Sequence, residues 1–352
     1  MASGRDMVLS VPAARQGPGP MPAALVDALA PALSRLISRT LPGVSRSSGV
    51  GQGTELAQLR PYETGDDVRH LDASASARTG VMHVRLNVPE RALTTWIVLD
   101  LSPSMAFGTA GRLKADVAEG VGLVFGRLGV RSAGSLGVIA FGAGPVGPGT
   151  PAPATEPAAG PPASQLAVGA PALYPPAPSD PSRASVVAAD PLLRVLAPRG
   201  AKPGLAALGR LLGEGVNPDG QHAPGALAAA LIRLGRLAGQ PGLVVILSDF
   251  RGQRGWEGPL GGLALRHSVI AVEISDPRER ELPAVGRLAL VDPESGRLIQ
   301  VDTSNRRLRE RFAAIETQRR ELVHRELRRL RVHHVSLSTD GPWLRDLGRG
   351  LG

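Results

Sequence analysis

The chain contains no cysteine, which excludes disulfides, thiolate metal centres and cysteine nucleophiles and fits a reducing compartment. Aromatic residues make up only 3% of the 352 residues, so the core must be built from Ala, Val, Leu and Ile. Lysine is nearly missing: Lys114 and Lys202 are the only two, and the formal charge of +9 comes almost wholly from arginine. That excess permits acidic partners, nucleic acid and anionic membrane among them, without choosing between them. No run of about 18 apolar residues occurs, so no membrane-spanning helix is expected. The opening segment also lacks the roughly 7- to 15-residue apolar centre of a secretory signal, and the expectation is a soluble, cytoplasmic protein. What is present is a composition 43% hydrophobic, enough at this length for one large core or two modest ones.

The chain is organised around Thr95-Trp96-Ile97-Val98-Leu99-Asp100-Leu101-Ser102-Pro103-Ser104-Met105. An apolar, β-branched run that ends abruptly in a carboxylate and two hydroxyls reads as a buried central strand with its polar groups at the C-terminal tip. In an open α/β sheet that tip is where ligands sit. Asp100, Ser102 and Ser104 alternate with Leu101 and Pro103, so a tight loop can turn three oxygens toward one point. Such an oxygen-only set suits a hard cation such as Mg²⁺ better than zinc or copper. The competing reading is that Ser102 or Ser104 merely caps the helix that follows. Leu243-Val244-Val245-Ile246-Leu247-Ser248-Asp249-Phe250 repeats the pattern. If the two strands are neighbours, Asp100 and Asp249 would converge on one ion.

The rest of the chain arranges itself around these runs. Residues 1–48 read as a disordered segment followed by a helix over 21–41, with Pro31 kinking it or marking its start. Gly49-Val50-Gly51-Gln52-Gly53 lacks the flanking strand and the lysine of a phosphate-binding loop and is read as a plain loop. Residues 49–92 form an Arg/Asp-rich segment in which Arg60, Arg69 and Arg78 have carboxylates nearby to pair with, ending in a strand over 81–88 that leads to the central one. Residues 93–350 alternate strand and helix, which favours a parallel sheet, and are interrupted at 142–182 by a Gly/Pro/Ala-rich insertion too poor in apolar bulk to order itself. Helices are expected over 112–128, 203–212 and 225–237, a hairpin over 288–302, and a long helix over 304–331. That last helix has Leu308, Phe312, Ile315, Leu322 and Leu330 inward and the pairs Glu316–Arg320 and Glu321–Arg325 on the wet side. His333-His334 begins a final strand, where a histidine pair without a third ligand reads as edge decoration.

The block Leu59-Arg60-Pro61-Tyr62-Glu63-Thr64-Gly65-Asp66-Asp67-Val68-Arg69-His70-Leu71-Asp72 through Ala77-Arg78-Thr79-Gly80, together with Val98-Leu99-Asp100-Leu101-Ser102-Pro103-Ser104-Met105, resembles the bacterial domain of unknown function 58 family. One departure is Asp72-Ala73, where that family usually has Asp-Trp. The resemblance implies an α/β, Rossmann-like, von Willebrand factor A-like sheet, mostly parallel with helices on both faces, carrying a metal-ion-dependent adhesion site. On that pattern Asp100, Ser102, Ser104 and Asp249 are the ligands of Mg²⁺, the second aspartate often through water, and a threonine before the helix at 227–231 supplies another. Here that position is Gly225, which has no side-chain oxygen; Asp219, His222 or water is left to substitute. The resemblance further implies an adaptor for a MoxR-type AAA+ ATPase and a client protein, in complex assembly or metal insertion, rather than an enzyme. Two other functions compete. A metal-dependent phosphatase using Asp100 as nucleophile needs a proton-donating acid two residues on, where this chain has Ser102. A nucleic-acid-binding role rests on net charge alone.

Overall fold

The computed structural model describes residues 16–40, 55–64, 66–88, 93–109, 111–131, 134–142, 193–216, 224–291 and 298–352. The expectations for 1–15, for the loop at 49–53, for the insertion beyond Gly142, and for Asp219 and His222 lie outside the described residues.

The N-terminal helix is two helices, α1 (Ala23–Asp27) and α2 (Ala30–Thr40). Pro31 stands in the first turn of the second, where a missing N–H costs no hydrogen bond. The Arg/Asp-rich segment then forms β1 (Glu55–Pro61), a single 3-10 turn at Val68–His70, α3 (Ala73–Thr79) and β2 (His83–Val88). β2 leads in the chain to the central strand but pairs antiparallel with β1 in a separate two-stranded sheet. Local bonds explain the choice of partner. The Tyr62 amide donates to the Met82 carbonyl at 2.8 Å and the Asp72 amide to the His83 carbonyl at 2.8 Å. Arg60 bonds Asp66 at 2.6 Å and Asp72 caps α3 through the Ala75 amide.

The main sheet is built from β3 (Thr94–Asp100), β4 (Ser135–Phe141), β5 (Arg194–Gly200), β6 (Leu243–Ser248), β7 (Ser268–Ser275) and, beyond the β8 (Arg287–Val291) and β9 (Leu298–Asp302) hairpin, β10 (His333–Ser338). Its order is β10-β7-β6-β3-β4-β5. All neighbours are parallel except β5, which runs antiparallel to β4 at one edge. Helices cover both faces: α4 (Lys114–Arg131), α5 (Ala201–Gly213) and the C-terminal α10 (Trp343–Leu351) with α1 and α2 on one side, α6 (Ala226–Leu237), α7 (Glu257–Ala264) and α9 (Arg306–Arg329) on the other. A strand sends successive side chains to opposite faces, and the core divides accordingly. Ile97, Leu99, Val245 and Leu247 pack into the first layer, Trp96, Val98, Val244 and Ile246 into the second. Because both faces are covered, these strands read in the sequence as unbroken apolar runs.

This is a Rossmann-like α/β arrangement, and it places one point apart from the rest. From β3 the chain winds outward one way through β4 and β5, then returns to β6 and winds the other way. The crevice between the C-terminal ends of β3 and β6 is thus the switch point at which such sheets bind ligands. Among the described residues no helix is long and apolar enough to cross a membrane. The long helix differs from expectation in one respect: Glu316 is buried and bonds Arg251 and Arg319 rather than lying on the wet face, while Val323 and Leu327 are the deeply buried apolar positions. The stripe of Leu308, Phe312, Ile315, Leu322 and Leu330 is half-buried.

Candidate functional site

Asp100, Ser102 and Ser104 come together at the switch point. After β3 the chain enters a single 3-10 turn, Pro103–Ala106, with Ser102 at its start. Ser102 makes no side-chain cap bond there; its hydroxyl lies 3.0 Å from that of Ser104. The Ser102 amide donates to Asp100 Oδ1 at 2.9 Å. Close behind is Gly142, with φ +84°, where an added Cβ would stand 2.8 Å from the Ser102 nitrogen. The turn therefore requires glycine twice over, for its left-handed backbone and for close approach.

Asp249 is placed differently from its sequence-level assignment. Leu99 pairs with Leu247 in the β3–β6 ladder, so it is Ser248 that stands across from Asp100. The Ser248 hydroxyl donates to Asp100 Oδ2 at 2.6 Å and accepts from the Phe250 amide at 3.0 Å. One residue further on, Asp249 is directed elsewhere, because side chains alternate along the strand. Its Oδ2 accepts from Lys114 Nζ at 2.6 Å and its Oδ1 from the Arg251 amide at 3.0 Å. Lys114, at the start of α4, is wholly buried and also bonds Glu279 at 2.6 Å. Glu279 in turn belongs to a capping box that starts α8 (Pro277–Arg280): its other oxygen accepts from the Asp276 amide. Buried Asp276 accepts from Thr109 and Thr339 as well, tying the loop after the 3-10 turn to the next strand tips. Arg251 reaches Glu279 and Glu316, and Arg319 binds Glu316.

Charge is thereby distributed unevenly. Lys114, Arg251 and Arg319 are matched by Asp249, Glu279 and Glu316. Asp100 has no cationic partner among the described residues. Its carboxyl is pushed up to about 6, first by burial and then by the negative charge of Asp249. Burial works against Asp249 too, but the Lys114 and Arg251 cations outweigh it and hold that carboxyl at about 2. Lys114 is likewise kept protonated against the cost of burial by Asp249 and Glu279.

Above Asp100 lies a cleft of about 30 Å³ lined by Asp100, Ser102, Gly142, Gly225, Ser248 and Trp256, room for about one water-sized species. Gly225 caps α6 with φ +75° and brings no side-chain oxygen. Phe250 also holds a positive φ of 51° while its buried ring packs edge-on against Trp256 at 5.5 Å. Strained backbone of this kind persists only where the surroundings fix it. Among the described residues no group of three His, Asp or Glu side chains is placed to hold a metal. A cation here would rely on one carboxylate and hydroxyls. Those donors are hard oxygens and suit Mg²⁺, and an uncompensated buried carboxylate favours a cation beside it. The residues therefore fit a weakly charged magnesium site with few protein ligands.

The family model described as "Protein of unknown function DUF58" matches residues 58–152 and 180–322. The chain belongs to the DUF58 family. Its relatives include "Uncharacterized protein Rv1480" of Mycobacterium tuberculosis, 33% identical over 301 residues covering 85% of this chain and 79% of that protein. "Uncharacterized protein MAV169" of Mycobacterium avium is 39% identical over 125 residues, 36% of this chain and 73% of that one. Among solved structures, "conserved hypothetical protein BatB" from Bacteroides thetaiotaomicron aligns over 74% of this chain and 97% of its own at 12% identity and a TM-score of 0.35, too slight a likeness to bear on function. Within this DUF58 chain, Ser248, Lys114, Arg251 and Glu279 are the site residues that sequence reading did not single out. The Asp276-Pro277-Arg278-Glu279 capping pattern was a readable signal for Glu279, and the rarity of lysine was a hint toward Lys114.

Proposed function

We propose that this DUF58 chain is a non-catalytic protein-binding module of the von Willebrand factor A-like kind, and that it docks a partner carboxylate at the cleft over Asp100. The observation that carries the reading is a buried carboxylate at the switch point of the sheet, flanked by the hydroxyls of Ser102, Ser104 and Ser248 and, among the described residues, without a cation of its own. Asp100, Ser102 and Ser104 would hold Mg²⁺, and Ser248 orients the carboxylate. A bound Mg²⁺ supplies an open coordination position that an acidic side chain of a partner can fill. Asp249 acts on the site through its charge rather than as a direct ligand, because buried Lys114 already neutralises it, whereas Asp100 has no cation among the described residues. A catalytic role is not proposed: the position two residues past Asp100, where a phosphatase of this kind needs an acid, is Ser102.

The resemblance to ATPase-associated members of the family makes a MoxR-type AAA+ ATPase the partner to test, with this chain as adaptor between it and a client. The experiment is co-purification of the full chain with the AAA+ ATPases of its own cell, with 5 mM Mg²⁺ and with chelator, for wild type and Asp100→Ala. The reading expects an ATPase retained in magnesium and lost in chelator or in the variant. Retention unchanged by either treatment removes the metal from the mechanism, and absence of any ATPase removes the adaptor role.

A further inference from the structure

At the opposite end of the sheet, where β7 and β10 begin, lies a second and larger cavity of about 350 Å³. Arg35 and Arg39 reach it from α2, and Arg328 and Arg331 from the end of α9. Among the described residues no acidic side chain lines it. The rest of its wall is mostly apolar, formed by Ala32, Leu36, Val269, Val332 and Leu351, with His333 and Gly352 beside them. Arg39 and Arg331 have neither an ion pair nor a hydrogen bond from their side chains among the described residues.

A bland account is available for part of this cluster. Helix C-termini carry partial negative charge and favour cations in the last turn, and Arg39 and Arg328 sit in the last turns of their helices. That account does not reach Arg331. This residue follows the helix in a left-handed conformation, with φ 56°. The Val332 amide donates to the Leu327 carbonyl and the Arg331 amide to the Arg328 carbonyl, each at 3.0 Å. This is the hydrogen-bond pattern in which glycine is the favoured residue, because a Cβ is penalised there. Arg331 thus stands where glycine is favoured, and its side chain lines the basic cavity rather than serving the helix end.

We infer that this cavity is a binding site for a phosphate-bearing ligand with an apolar portion. Guanidinium forks on two sides match phosphate oxygens in bidentate fashion, and the apolar wall receives the uncharged part. The volume falls at the small end of ligand pockets. Two sources share this chemistry: a soluble phosphorylated metabolite and the phosphomonoester headgroup of an anionic lipid. The site lies at the far end of the sheet from Asp100, so it stands independently of the docking function.

The test uses the full chain and three probes: inorganic pyrophosphate by calorimetry at 50 and 200 mM salt, vesicles of phosphatidic acid in phosphatidylcholine by sedimentation, and vesicles of phosphatidylcholine alone. Arg331→Gly separates binding from folding, since glycine fits the left-handed position. The expected result is saturable binding of pyrophosphate or of the phosphatidic acid vesicles, weaker at the higher salt and absent with phosphatidylcholine alone. In Arg331→Gly that binding falls at least tenfold while the thermal midpoint is unchanged or higher, and Arg39→Gln weakens binding in the same direction. Pyrophosphate without vesicles identifies a soluble ligand; vesicles without pyrophosphate identify a lipid. Binding of neither probe, or binding that survives within twofold in the Arg39→Gln, Arg331→Gly double variant, overturns the assignment.

Discussion

Replacing Asp100 by asparagine should stabilise the metal-free protein at neutral pH. The carboxyl stands at about 6 in the fold against 3.8 ordinarily. At about 1.4 kcal/mol per pH unit, that difference withholds roughly 3 kcal/mol from the ionised, folded state. The direction follows from proton binding. Between about pH 4 and 6 the folded chain holds the Asp100 proton more tightly than the unfolded chain does, so this contribution is full below pH 4, declines as pH rises through 6, and is level above. Asparagine removes the charge and keeps an acceptor for the Ser102 amide, and the Ser248 hydroxyl can rotate to meet the new N–H donors. Allowing about 1 kcal/mol for a poorer hydrogen-bond set, the variant should gain roughly 1 to 2 kcal/mol at pH 8 in chelator. At pH 4.5 it should gain nothing, and below pH 4 it should be slightly less stable than wild type. Urea unfolding followed by tryptophan fluorescence at the two pH values reads this directly. A variant less stable than wild type at pH 8, or a difference independent of pH, would refute the claim that Asp100 is a strained, uncompensated charge.

Three further outcomes follow from the same geometry. Lys114→Met removes the ion-pair partner of buried Asp249 and leaves Glu279 with Arg251 alone; it should cost roughly 3 to 5 kcal/mol, seen as a large drop in urea midpoint. Because Asp249 sits at about 2 in the wild type, chiefly by the pull of Lys114 against burial, its carboxyl should rise in that variant. Part of the loss should then be recovered on acidification toward pH 4, or by adding Asp249→Asn. Gly142→Ala forces a Cβ into the Ser102 backbone from a left-handed position; it should cost roughly 1 to 3 kcal/mol and weaken any Mg²⁺ response out of proportion to that loss, as measured by thermal shift with and without the ion.

The long elements were legible because their burial is written in composition. β3 and β6 are covered on both faces and so appear as unbroken apolar runs, and α6, α9 and the β8–β9 hairpin follow from helical spacing or from the turn residues between them. What composition does not contain is register. The two apolar runs end in Asp100 and in Ser248-Asp249, and aligning carboxylate with carboxylate is natural on paper. The ladder instead sets Leu99 against Leu247, and a one-residue offset hands Asp100 a hydroxyl in place of a second charge. Lys114 could not be assigned from its surroundings, since its partners lie 135 and 165 residues away in the chain. Glu316 looked like half of a solvated helical pair, and only the packing of α9 against the loop at Arg251 turns it inward. Gly225, by contrast, was readable at once: a residue without a side chain cannot be a side-chain ligand in any fold.

The most direct measurement is Mg²⁺ binding to the purified chain at pH 7.5, by calorimetry and thermal shift, with wild type beside Asp100→Asn. With so few protein ligands and several of its waters retained, the ion should bind weakly, with a dissociation constant that the calorimetry reads. A tenfold excess of ion over that constant should then stabilise the wild type by about 1.4 kcal/mol, an effect that fades below pH 6 as Asp100 takes up its proton. The variant should show neither heat nor shift. Saturable binding retained by the variant, or a wild type indifferent to the ion at 10 mM, would contradict the account.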